Sequence, residues 1–465
     1  MKILLVAPSQ SEIYGKITPP EHPHLGLLYV ASVLERDGHD VTILDFDAEA
    51  MTLQSFAAFL TDMAPDMVGI TSTTPTYANA IKIAEAVRNN SAAKRVAGGI
   101  HPTLMPLETM RDGFFDFVVK GEGEITMSEL VKCIGSGGAL SSVKGILYSA
   151  EGKIFENPDR PINDDLDELP FPTRKLLRNK RYRYPDALKT PAFPIITSRG
   201  CPGDCSFCTA KFVHGKRFRC RSAKNVVDEI EQLVNNDSAA EIHIWDDNFI
   251  TNPKRVFEIS DEIKKRKIKC LFAFPNGVRA DFIRKDILSA MKEMGTYSIA
   301  IGVESGDQTI LDSIRKGIAI EQISKAFAVA KEVGLETWGF FLLGLPGENL
   351  ETIRKTINFA IELDPDIAKF HVLKPYPKSE VAEKLKKLGL IIDEDYVHYG
   401  IHTGPVHRLN DLSQSELTML QKEAYRSFYM RPGKILKEIA RLKTFNRMRL
   451  NFSAAVSILK DKILS

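Results

Sequence analysis

At 465 residues the chain is longer than one hydrophobic core usually supports, which predicts two or three domains. Its composition, 44% hydrophobic and 26% charged, is that of an ordinary globular protein, and a formal net charge of +2 gives no reason to expect a nucleic-acid partner. No apolar run reaches the roughly 18 residues of a membrane-spanning helix. The cysteines do not pattern as a disulfide scaffold and no signal peptide is read at the N-terminus, so a reduced, cytoplasmic protein is expected.

The first 135 residues alternate short apolar runs with amphipathic stretches, with strands expected at 2–7, 41–45, 67–72, 95–98 and 116–120. That alternation predicts a parallel, Rossmann-like α/β sheet with helices on both faces. Ligands of such sheets lie beyond the carboxyl ends of the strands. There the sequence places Thr71, Ser72, Thr73 and Thr74, then Gly98, Gly99, His101 and Thr103, then Gly121 and Glu122. No G-x-G-x-x-G follows the first strand, which disfavours a dinucleotide. His22, His24 and His101 read as loop residues rather than metal ligands; Thr76 and Tyr77, in the loop after strand 3, read as neighbours of a bound ligand, Tyr77 equally as a packing residue.

Residues 137–190 read as a linker. A small hairpin, 143–148 against 153–156, precedes an acidic run, Asp164 to Glu168, and Pro170-Phe171-Pro172. From 191 to 378 six apolar strands, each followed by a helical stretch, are expected at 193–198, 241–245, 270–274, 297–303, 337–343 and 369–373. Six such units predict a partial βα barrel, whose chemistry belongs at the carboxyl ends of its strands. The first strand runs into Ser198-Arg-Gly-Cys-Pro-Gly-Asp-Cys-Ser-Phe-Cys208. Three thiolates in one loop, Cys201, Cys205 and Cys208, suit three irons of a four-iron cubane with the fourth iron open. A structural zinc site completed by His214 is the alternative. Cys133, Cys220 and Cys270 are scattered singly and read as core thiols.

The cysteine spacing, with Asp247 and Asn248 after the second strand and Glu304-Ser305-Gly306 after the fourth, resembles the radical S-adenosylmethionine (radical SAM) family. The segments His24 to Tyr29, Gly38-His39, Gly98-Gly99 with His101-Pro102-Thr103, and Gly121-Glu122-Gly123-Glu124 resemble the cobalamin-binding domain that precedes the barrel in one class of that family. This resemblance implies a 4Fe-4S cluster on Cys201, Cys205 and Cys208. It implies S-adenosylmethionine held by Phe207, Asp247, Asn248, Arg279, Glu304, Ser305 and Gly344, and cobalamin on the first domain. The D-x-H-x-x-G motif that supplies a histidine to cobalt in other cobalamin proteins is absent. The implied reaction is methylation of an unactivated carbon of a small-molecule, lipid or polycyclic substrate, with an electron donor such as ferredoxin or flavodoxin. Relatives with the same two domains also close rings without net methyl transfer. From another class, a non-catalytic zinc or corrinoid-binding module would carry some of these features.

Residues 379–465 have no catalytic signature of their own and read as a helical capping or substrate region. Tyr425, Phe428, Tyr429, Arg431 and Pro432 resemble the tail of bacteriochlorophyll-ring cyclase and hopanoid-type enzymes of this class. Nine Lys/Arg against Glu438 and Asp461 over 431–465, with an amphipathic helix expected over 434–464, predict a solvated face or a peripheral membrane contact.

Overall fold

The computed structural model of the protein describes residues 1–14, 22–177, 182, 184 and 186–441. Seven strands form the first sheet: β1 (Lys2–Ala7), β2 (Asp40–Asp45), β3 (Met67–Thr71), β4 (Lys94–Gly98), β5 (Phe117–Val119), β6 (Ile146–Ala150) and β7 (Lys153–Glu156), in the order β2-β1-β3-β4-β5-β6-β7. The first five run parallel. β1 is buried on both faces: Ile3 and Leu5 enter the core beneath the helices Leu25–Arg36 and Gly123–Ser136, while Leu4 and Val6 enter the opposite core with Phe56 and Ile83. A strand buried on both sides reads as an unbroken apolar run, which is why Ile-Leu-Leu-Val-Ala is legible. The order of the strands reverses between β1 and β3, the switch point where α/β sheets bind ligands.

The described part of the segment expected to be a linker is packed instead. β6 pairs antiparallel with β5 and β7 with β6, so the hairpin extends the first sheet. Leu166 and Leu169 are buried against Val33, and the Asp167 carboxylate accepts the Ser222 amide at 2.9 Å. Alternating apolar residues there have a second surface to bury against, and the acidic side chains have backbone donors to meet.

A second sheet holds β8 (Ala192–Ile195), β11 (Glu241–Ile244), β12 (Leu271–Arg279), β13 (Thr296–Glu304), β14 (Glu336–Leu343) and β15 (Ile367–Val372), all parallel and side by side in chain order. The expected first strand, 193–198, is split: after β8 the chain turns into β9 (Ser198–Arg199), which pairs antiparallel with β10 (Arg219–Cys220). Helices Ala223–Asn236, Pro253–Lys265, Lys285–Glu293, Ile320–Val333 and Leu350–Leu363 join the barrel strands and share one core with them.

The helix Gln414–Tyr429 lies along the last strand. Tyr429 Oη accepts the Ala368 amide and donates to the Ala368 carbonyl, both at 3.0 Å, and Tyr425 Oη accepts the Phe370 amide at 3.2 Å. Two hydroxyls thus close a strand edge that would otherwise offer bare backbone groups. Of the C-terminal helix expected over 434–464, Pro432–Arg441 is helical and the remainder lies outside the described residues.

Candidate active site

The β9–β10 ribbon closes the loop that carries all three clustered cysteines. Gly200 opens this loop at φ +85°, against the Arg217 carbonyl, where a Cβ has no room. Its amide donates to Asp247 Oδ2 at 2.9 Å. Asp246, one residue earlier, accepts the Thr197 amide at 2.6 Å and the hydroxyls of Thr197 and Ser198. Burial raises its carboxyl above the usual range, against the opposing field of Arg255 and these hydrogen-bond donors. Asn248 is fully buried; its Oδ1 accepts the Arg279 amide at 3.3 Å and its Nδ2 donates to Thr251. The acidic strand-end motif therefore ties the entry of the cysteine loop to the next strand.

Arg279 lies over that loop. Its guanidinium is 3.8 Å from Cys205 Sγ, donates to the Lys316 carbonyl at 2.9 Å and pairs with Asp281 at 3.0 Å. Lys316 is buried and its ammonium meets Glu304 Oε1 at 2.6 Å. Burial disfavours the lysine's charge, but Glu304 prevails and raises its pKa. Glu304 ends β13 at φ +68°, a left-handed conformation that a side chain adopts only when its surroundings over-determine it. Burial pushes the Cys208 thiol up to about 11 and raises Cys201 as well.

The remaining barrel residues divide. Gly344 takes φ +81° and its carbonyl accepts from His407 Nε2 at 2.8 Å, so a residue from the C-terminal region braces this turn. Phe207 packs against the barrel core. Ser305 is fully buried with its hydroxyl engaged by Thr356 at 3.1 Å and by the Asp307 amide at 3.2 Å, so it supports the Glu304 turn from behind.

Between the two sheets lies a cavity of about 990 Å³. Thr71, Ser72, Thr73, Gly98, Gly99, Gly121 and Glu122 line it from the first sheet, and Pro194, Trp245, Asn276, Phe340 and Lys369 from the barrel. Arg199, Val213 and His214 bring its wall to both sides of the cysteine loop. Gly99, at φ +94°, could not carry a Cβ: it would fall 2.6 Å from Thr71 Oγ1 and 2.8 Å from the Ser72 carbonyl. Ser72 Oγ and Trp245 Nε1 are buried there without a partner. Bare glycine turns and orphaned donors on a cavity at the top of the usual ligand range, about 300–1,000 Å³, fit a bulky, amide-rich ligand.

Three expected cobalamin residues stand behind this wall. Thr103 Oγ1 donates to the Gly99 carbonyl at 2.7 Å and accepts the Gly121 amide at 3.0 Å, joining the two glycine turns. His101 is fully buried, 3.4 Å from Thr74 Oγ1, with Tyr77 and Tyr396 against its ring. Burial lowers it to about 4.

Glu122 has a second role that the sequence did not disclose. Its carboxylate meets His214 Nδ1 at 2.9 Å and Arg219 at 2.5 Å, while Arg199 pairs with Glu124 at 2.5 Å. The Gly-Glu-Gly-Glu turn of the first sheet thus grips the ribbon that carries the cysteines. His214 is consumed by this contact, and among the described residues no three His, Cys, Asp or Glu side chains are grouped to hold a single ion. The zinc alternative thereby loses His214 as its fourth ligand, while Cys201, Cys205 and Cys208 remain together on one loop.

A family model described as the B12 binding domain matches residues 14–131, and one described as the radical SAM superfamily matches residues 195–360. The uncharacterized methyltransferase PH0819 of Pyrococcus horikoshii is 36% identical, over 94% of this chain and 95% of its own. The anaerobic magnesium-protoporphyrin IX monomethyl ester cyclase of Rubrivivax gelatinosus is 30% identical, over 92% and 78%. Among solved structures, the cobalamin-dependent S-adenosylmethionine radical enzyme OxsB, with aqua-cobalamin and S-adenosylmethionine bound, superposes with TM-score 0.77 at 18% identity, covering 98% of this chain and 71% of its own. With both domains matched and near full-length likeness, the chain belongs to the cobalamin-binding branch of the radical SAM enzymes, whose cofactors are a 4Fe-4S cluster, S-adenosylmethionine and cobalamin.

Proposed function

We propose that the protein methylates an unactivated carbon of a small organic, lipidic or polycyclic substrate in the cavity between its two sheets. The observation that carries this reading is that the glycine turns of the first sheet and both flanks of the cysteine loop open onto one cavity. When bound, the reduced cluster supplies the electron that splits S-adenosylmethionine, and cobalamin supplies a methyl carrier. In this reading Cys201, Cys205 and Cys208 ligate iron. Asp247, Asn248, Arg279 and the Glu304–Lys316 pair hold the cofactor's amino, carboxylate and ribose groups, directly or by fixing the residues that do. Phe207 and Gly344 border the adenine, while Thr71 to Thr74 and the turns at Gly98-Gly99 and Gly121 cradle the corrin.

The name of the Pyrococcus relative favours methyl transfer; that of the Rubrivivax relative keeps ring closure as a second reading. Incubation of reconstituted enzyme with methyl-labelled S-adenosylmethionine and candidate substrates separates them. Label in the product supports methylation, and label recovered only as free methionine rejects it. A ferredoxin or flavodoxin is proposed as electron donor, tested by replacing a chemical reductant with either protein. No helix among the described residues is long and apolar enough to cross a membrane. The helix Pro432–Arg441, with Leu436 68% exposed, is proposed as a peripheral membrane contact, to be tested by co-sedimentation with anionic vesicles.

A further inference from the structure

β15 alternates: Phe370 and Val372 enter the barrel core, while Lys369 and His371 line the cavity. Phe340, the register partner of Lys369 on β14, lines it too. Among the described residues on this wall only two carry a fixed positive charge, Arg199 and Lys369. Arg199 is consumed by Glu122 and Glu124. Lys369 has only a long, partly exposed ion pair, with Asp186 at 3.8 Å, beyond hydrogen-bond reach, and its ammonium sits 4.5 Å from the centroid of the Trp338 ring. Among the described residues it makes no hydrogen bond. The aromatic face orients the cation without satisfying its three N–H groups.

His371 and His402 stand beside it on the same wall, their rings 6.1 Å apart. Burial lowers both, His371 to about 4, so they serve as neutral hydrogen-bonding groups and Lys369 supplies the charge. The lysine lies within the strand, three residues before the end of β15, whereas the cysteine loop and Glu304 occupy strand ends. That position faces the cavity from within the strand rather than from its end.

We infer that Lys369, flanked by His371 and His402, is the substrate-binding subsite for an oxyanion group, a carboxylate or a phosphoryl, which makes the substrate an organic acid or phosphate ester. The inference rests on reading the cavity as the reaction chamber. A charge-assisted hydrogen bond in a partly enclosed site is the stronger kind and separates an acid from its neutral isostere. An oxyanion would take the N–H groups that the protein leaves open.

Calorimetric titration of the enzyme, reconstituted with cluster and hydroxocobalamin, with benzoate, phenylphosphate and uncharged benzamide tests this without turnover. At least one acid is expected to bind about tenfold or more tightly than benzamide. Lys369→Met should erase that preference while leaving benzamide and S-adenosylmethionine affinity unchanged, and Lys369→Arg should retain most of it. Equal binding of acids and amide, no binding of either acid, or a preference that survives K369M overturns the subsite. So does a K369M variant that weakens S-adenosylmethionine instead, because the lysine then serves the cofactor. Iron content and 5′-deoxyadenosine release by the wild type report separately on the parent reading.

Discussion

Glu304 shows how a single residue reports on the site. Its left-handed backbone costs on the order of 1–3 kcal/mol, and the buried ion pair with Lys316 is what the fold sets against that. Removing one charge of a buried pair leaves the other uncompensated. Glu304→Gln is therefore expected to lower stability by about 3–5 kcal/mol in urea denaturation, with part of the loss recovered by adding Lys316→Met. A loss under about 1 kcal/mol would mean that water reaches the pair. At Gly99 the obstacle is backbone: Gly99→Ala drives a methyl against the Ser72 carbonyl. Hydroxocobalamin affinity should fall at least tenfold, read by the visible spectrum during equilibrium titration. Both residues are legible in the sequence as a strand-end acid and a paired glycine. The long-range contacts that brace the site are not: Asp246 meets Thr197 across 49 positions, Gly344 meets His407 across 63 and Glu124 meets Arg199 across 75. Such partners are set by packing, and no local pattern encodes them.

Elements were readable in proportion to their burial. The central strands of both sheets are continuous apolar runs and fall within a few residues of their expected ends. β7, exposed along its whole length, was legible as the second arm of the expected hairpin; the antiparallel pairing of that hairpin onto β5 was not, because it depends on a strand distant in the chain. Of the aromatics Tyr425, Phe428 and Tyr429, only Phe428 is fully buried; the two tyrosines pack against the core and spend their hydroxyls on β15. Tyr429→Phe leaves the Ala368 amide and carbonyl without this partner at nearly unchanged volume. A cost of about 1–3 kcal/mol is expected, together with faster amide exchange confined to β15. Unchanged exchange there would show that water replaces the hydroxyl without loss.

At the scale of the molecule, the two sheets meet through charge. Glu122 and Glu124 reach from the first sheet to Arg199, Arg219 and His214 around the cysteine loop, so whatever moves the glycine turns also loads the ribbon. Acid should release this grip in a defined window. Burial works against the Glu122 charge, but hydrogen bonds from His214 and Arg219 and the field of Arg199 outweigh it and lower the carboxyl from 4.5 to about 2. A depressed carboxyl contributes its full stabilisation above the unfolded value. Below that value the unfolded chain takes up a proton that the folded one refuses, and the contribution drains away as pH falls from about 4.5 toward 2. The amount at stake is about 3 kcal/mol, for a side chain only 12% exposed. Wild type and Glu122→Gln should therefore differ most at pH 7 in the midpoint of the first urea transition and converge as the pH approaches 2. Parallel pH profiles would show that Glu122 contributes nothing through its charge, leaving the Glu124–Arg199 pair and packing to hold the two sheets.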